Sequence, residues 1–175
     1  MSKTALIFSP EGGNVHSVTN KLGELIGNDK VNILPVGKVE KADVDKYDQI
    51  IFLGSTVGAD HWSNETIVDE WPDFFAKIDE NGLEGKKVAI VGLGNSLLYP
   101  EHFADGMAHM YDDLTKKNAK IYGSVSKKGY DFTDSEALND DGLFCGLPID
   151  EDNEDELTTE RLENWLSILK PDFEF

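Results

Sequence analysis

The chain has 175 residues, within the ordinary size of one domain. Its 34 acids against 16 bases leave a formal charge of −18. That charge excludes nucleic acid and anionic membranes as partners, because both require a basic face, and it favours a basic protein partner.

The first predicted element is a strand at residues 5–8, a short apolar run ending at Ser9. Val15, Val18, Leu22, Leu25 and Ile26 then recur at steps of three and four, one stripe of a helix. Runs at 31–36, 50–53 and 88–91 are rich in Val and Ile with little internal polarity, the mark of strands buried on both faces. Between the last two, Ile67, Trp71, Phe74, Phe75 and Ile78 predict a second helix. Phe103, Met107, Met110, Tyr111 and Leu114 predict a third, with Pro100 suited to its first turn. A weaker fifth run covers 119–125, and residues 145–149 extend it or stand beside it. Residues 122–144 carry the turn formers Gly129, Asp131, Asp134, Asp140 and Gly142 and read as an insertion in the last strand. The acidic stretch 150–156 reads as a solvated loop before the final helix. That helix has the stripe Leu157, Leu162, Trp165, Leu166 and Leu169, starts at Thr158-Thr159-Glu160-Arg161 and ends before Pro171. Alternating strand and helix predicts one α/β domain over residues 1–175: a doubly wound parallel sheet between two layers of helices.

The lone cysteine, Cys145, excludes an intramolecular disulfide and reads as a small buried hydrophobe. No apolar run approaches the roughly 20 residues of a membrane span, and the chain reads as a cytoplasmic monomer. No catalytic or metal-ligating set stands out.

Open parallel sheets bind ligands beyond the carboxyl ends of their strands, which selects three loops. In the first, Ser9-Pro10-Glu11-Gly12-Gly13-Asn14-Val15, two glycines and a following helix N-terminus suit an anion, most naturally a phosphate. A plain strand-to-helix turn is the competing reading. The second, Gly54-Ser55-Thr56-Val57-Gly58-Ala59-Asp60-His61-Trp62, is small and polar; Trp62 either packs on the nearest core or stacks on a ligand. In the third, Gly92-Leu93-Gly94-Asn95 leads to Tyr99-Pro100-Glu101-His102. There Gly94 lets a flat ligand approach the backbone, and Tyr99 offers a ring face.

With Gly129-Tyr130-Asp131-Phe132 and Gly146-Leu147-Pro148-Ile149-Asp150-Glu151-Asp152-Asn153, the third loop resembles the long-chain flavodoxins over nearly the whole chain. The resemblance implies the strand order 2-1-3-4-5, one non-covalent FMN, and low-potential one-electron transfer between redox proteins. It assigns Ser9, Pro10, Glu11, Gly12, Gly13, Asn14 and Val15 to the phosphate. Ser55, Thr56, Val57, Gly58 and Trp62 fall to one flavin face, and Leu93, Gly94 and Asn95 to the ring edge. Tyr99 falls to the other face, with His102 and Asp152 nearby. The chain departs from the family where Pro10, Gly12 and Val15 replace hydroxyl residues, where Ser55-Thr56 followed by Val57 stands for Pro-Thr and an aromatic or aliphatic residue, with the tryptophan later so that either Val57 or Trp62 covers the ring, and where Asn95 replaces an acid. Backbone N–H groups, Asn14 and Ser17 are then left to hold the phosphate, with Glu11 turned to solvent. The altered first loop also keeps open a flavodoxin-like interaction protein that has weakened or lost FMN. A phospho-receiver lacks its acids at Ser9-Pro10 and Gly54-Ser55, and an FMN-dependent quinone reductase lacks an acid–base constellation.

Overall fold

A computed structural model describes residues 4–56 and 69–175; the expectations attached to Val57, Gly58, His61, Trp62 and Ile67 lie outside the described residues. Strands β1 (Thr4–Phe8), β2 (Val31–Pro35), β3 (Gln49–Ser55), β4 (Lys87–Leu93) and β5 (Lys120–Tyr122) lie parallel in the order β2-β1-β3-β4-β5. Strand β1 is buried throughout, and β3 and β4 at all but one end residue. Their unbroken apolar runs follow from helices covering both faces. Strand β2 departs from this: after Val31 its residues are half-buried, because it forms the sheet's edge.

Helices α1 (Gly13–Ile26) and α5 (Thr158–Leu169) close one face over Leu6, Ile51 and Val91. Helices α3 (Trp71–Lys77) and α4 (Gly106–Lys116) close the other over Ile50, Phe52 and Ile90. The short α2 (Lys41–Val44) precedes β3. Gly92 lets α4 approach, since a Cβ there would lie 2.0 Å from Met107 Cγ.

The last strand is split. Strand β5 pairs with Lys87–Ala89, the start of β4, whereas β8 (Leu147–Ile149) pairs with its end at Val91–Leu93. Between them runs the insertion, where β6 (Val125–Ser126) pairs antiparallel with β7 (Leu143–Phe144). It is held by its own small core, Tyr130, Phe132 and Phe144 around Phe103. The Tyr130 hydroxyl donates to the Pro148 carbonyl at 2.8 Å, and the Arg161 guanidinium lies 4.1 Å from the ring centroid. Burial pushes the Tyr130 phenol up to about 12.

Two helix boundaries differ from the sequence reading, while the last helix starts at Thr158 and ends before Pro171 as expected. The third helix starts at Gly106, so Pro100 and Phe103 belong to the turns before it. Phe103 is buried against the insertion, while Tyr111 lies outward of the Met107–Met110–Leu114 stripe. The second helix starts at Trp71, whose N–H donates to Asp69. The Thr158 hydroxyl does not cap α5. It is buried without a hydrogen-bond partner among the described residues, and a 3-10 turn at Asp155–Leu157 leads into the helix. Cys145 is half-buried, with its Sγ 3.6 Å from the Met107 carbonyl, and burial pushes the thiol up to about 11.

Candidate functional site

The loops after β1, β3, β4 and β8 meet at the carboxyl edge of the sheet, around a cavity of about 280 Å³. Pro10, Gly12, Gly13, Asn14 and Val15 form one wall. Ser55, Thr56, Leu93, Gly94, Asn95, Tyr99, His102, Glu151 and Asp152 form the rest. Four of these, Ser55, Thr56, Tyr99 and His102, also line an adjoining cavity of about 590 Å³ walled by Trp71, Phe75, Met107 and Met110. Such volumes suit small-molecule sites, which run from about 300 to 1,000 Å³.

The first loop delivers the start of α1 to this cavity. Gly12 and Gly13 have φ of 79° and 69°, values that only glycine adopts without strain. Among the described residues a Cβ on either would meet nothing within 4 Å, which leaves space over the helix start. The first N–H groups of a helix lack intrahelical partners, and its dipole is positive there. Together these make an anion site. One donor is already used: the Gly12 N–H is bonded to His16 Nδ1 at 3.0 Å.

Two residues expected at the anion face elsewhere. The Ser9 hydroxyl donates to Glu70 at 2.7 Å, and Glu11 pairs with Lys38 at 3.0 Å. Neither lines the cavity, and Ser17 is exposed outside it. The loop therefore presents backbone but no hydroxyl. The Asn14 amide is also committed, donating to Asp152 at 3.0 Å.

The third loop is held from two sides. From behind, Thr133 and Asp134 N–H groups of the insertion donate to the Pro100 carbonyl at 2.7 and 2.9 Å, and the Phe103 N–H donates to the Asp134 carbonyl. The Asp105 carboxylate, nearly buried, takes the Glu136 N–H and lies 3.0 Å from His102 Nδ1. The insertion thus braces the turns that carry Tyr99 and His102. Gly94 serves the same packing. Its missing side chain leaves room for the Ala104 backbone, which a Cβ would meet at 2.7 Å, so the glycine accommodates the following turn while its backbone lines the cavity.

From the front, the loop is held by Asp150. Expected in a solvated acidic loop, Asp150 is instead fully buried. Its carboxylate accepts from the Ser96 N–H and hydroxyl at 2.9 and 2.6 Å and from the Asn153 N–H and amide. Burial alone pushes this carboxyl up, but the donors from Ser96 and Asn153 outweigh it and leave it below the ordinary aspartate value. At the end of β3, the Thr56 hydroxyl donates to the Leu93 carbonyl and accepts the Gly106 N–H, both at 3.3 Å, joining β3, β4 and α4.

Glu151 was not singled out in the sequence. Its neighbour Asp152 was the available signal. The Glu151 side chain is only 10% exposed and lines the smaller cavity. Its Oε1 has no hydrogen-bond partner and stands 3.7 Å from Lys21 Nζ. An anion site and the ring of Tyr99 therefore line one cavity, which suits a flat-ringed ligand that carries a phosphate. Trp71, read as a core residue, is half-buried and walls the larger cavity.

The flavodoxin family model matches residues 6–165. A flavodoxin of Helicobacter pylori is 33% identical over 173 residues, covering 99% of both chains. Flavodoxin 1 of Escherichia coli K12 is 34% identical over 166 residues, 95% of this chain and 92% of that one. Among solved structures, a Fusobacterium nucleatum flavodoxin bound to flavin mononucleotide shares the fold with a TM-score of 0.84, at 24% identity over 99% of this chain and 100% of that one. The family model and these relatives agree, and the chain belongs to the flavodoxin family.

Proposed function

We propose that this protein is a single-domain, cytoplasmic, monomeric carrier of single electrons, using non-covalently bound FMN to shuttle them between redox proteins with basic faces. The observation that carries the reading is the open helix start at Gly12 and Gly13, facing Tyr99 across one cavity. Bound FMN supplies the one-electron chemistry, and the protein binds it, orients it and tunes its potential. The N–H groups at the start of α1 hold the phosphate, and Tyr99 covers one face of the ring. Glu151 and Asp152 place negative charge beside the flavin and oppose the uptake of more, which lowers the potential of the second electron. The same acids draw a basic partner to this edge.

The test is titration of apoprotein with FMN and with riboflavin, beside the visible spectrum of the purified protein. FMN is expected to bind more tightly, and equal affinities refute phosphate recognition by the first loop. Reduction by a basic reductase is expected to slow as salt rises, and a rate indifferent to ionic strength overturns the partner assignment.

A second reading, an interaction protein with weakened or lost FMN binding, is favoured by one observation: the first loop offers no hydroxyl, and its Gly12 N–H is already bonded to His16. A colourless protein that takes up no FMN would support it.

A further inference from the structure

Asp152 is a carboxylate on the wall of an anion site, where its charge opposes a phosphate. Both its oxygens are engaged: Oδ1 accepts from Asn14 Nδ2 at 3.0 Å, and Oδ2 from Asn95 Nδ2 at 3.1 Å. Asn14 lies on the first loop and Asn95 on the third, so the carboxylate ties the two loops together. Asn95 is held in turn. Its Oδ1 accepts from Asn153 Nδ2 at 2.9 Å and from the N–H groups of Leu97 and Leu98. The same Asn153 amide donates to Asp150, which also fixes Ser96.

Orientation along this chain is dictated from its ends. A carboxylate only accepts, so Asp150 turns the NH₂ of Asn153 toward itself. That NH₂ also serves Asn95 Oδ1, which leaves the Asn95 NH₂ pointing at Asp152. Asp152 can only accept, and it takes both amides. The network runs from the buried Asp150 to the exposed Asp152, and each amide keeps this orientation only while the link behind it is satisfied.

We propose that Asp150, which does not touch the cavity, is a positioning residue for phosphate recognition: through Asn153 and Asn95 it holds the Asp152 carboxylate between two amide donors, compensating a charge that otherwise repels the phosphate. The proposal rests on the FMN reading and assigns it a determinant outside the cavity wall. It also couples the loop at the flavin ring to the loop at the phosphate.

The experiment compares FMN and riboflavin affinities by flavin fluorescence in wild type, Asp150→Asn, Asn95→Ala, and Asn95→Ala combined with Asp152→Asn. Loss of a charged hydrogen-bond link in the first two variants lowers the preference for FMN over riboflavin by about tenfold, with a smaller change in riboflavin affinity. The double variant recovers the preference, because the repelling charge is gone. If Asp150→Asn does not fold, Ser96→Ala and Asn153→Ala make the same test with an effect of about threefold. Equal weakening of both flavins, or no recovery on adding Asp152→Asn, overturns the proposal. A wild-type protein that does not discriminate FMN from riboflavin refutes the functional reading instead.

Discussion

Gly94→Ala separates two roles for a glycine in the third loop. If Gly94 makes room for a flavin, a methyl group there weakens flavin binding and leaves the apoprotein as stable as before. The structure points the methyl the other way, to 2.7 Å from the Ala104 nitrogen and 3.1 Å from the Phe103 ring, well inside the 3.4 Å where ordinary contact begins. The nearest atom is backbone, so relief requires a shift of the turn before α4, which the Pro100 carbonyl ties to the insertion. Overpacking of this kind costs about 1–3 kcal/mol. In a domain of this size that lowers the thermal midpoint by about 2–12 °C. The assay is urea and thermal unfolding of flavin-free protein, followed by circular dichroism. The midpoint is expected to fall before any flavin is added. A flavin-free variant as stable as wild type, with affinity alone reduced, refutes the packing account.

Three further outcomes are expected. Tyr99→Ala weakens FMN by about tenfold through loss of ring stacking and leaves flavin fluorescence less quenched, as read by titration; unchanged affinity removes Tyr99 from the ring face. Arg161→Met removes the contact with the Tyr130 ring and the hydrogen bonds to Glu154 and the Gly129 carbonyl. It costs about 2 kcal/mol and speeds amide exchange across residues 123–146, with α1 unaffected. Because the Asp150 carboxyl lies below its ordinary value in the folded protein, its contribution to stability is complete above about pH 4 and is lost as pH falls through the depressed value. Ser96→Ala removes one donor and moves that loss to higher pH, measurable by unfolding between about pH 6 and pH 2.

The strands were legible in the sequence for a physical reason. Val88, Ala89, Ile90 and Val91 are apolar in succession because helices cover both faces of β4, and that pattern needs no knowledge of the partners. The stripe Val15, Val18, Leu22 and Ile26 on α1 was legible on the same ground, as was the insertion, whose turn formers interrupt the last strand. The three loops of the site followed from the rule that parallel sheets bind ligands at their carboxyl ends. What each residue does there was decided by partners remote in the chain. Ser9 turns to Glu70, 61 residues away, and Asn14 to Asp152, 138 residues away. Asp150 stands in a run of acids that reads as solvated, yet it is buried because Ser96 and Asn153 converge on it with four donor groups. Hydrophobic periodicity records which face of an element is buried. Hydrogen-bond partnership depends on which loops the closed sheet brings together, and only the tertiary structure sets that.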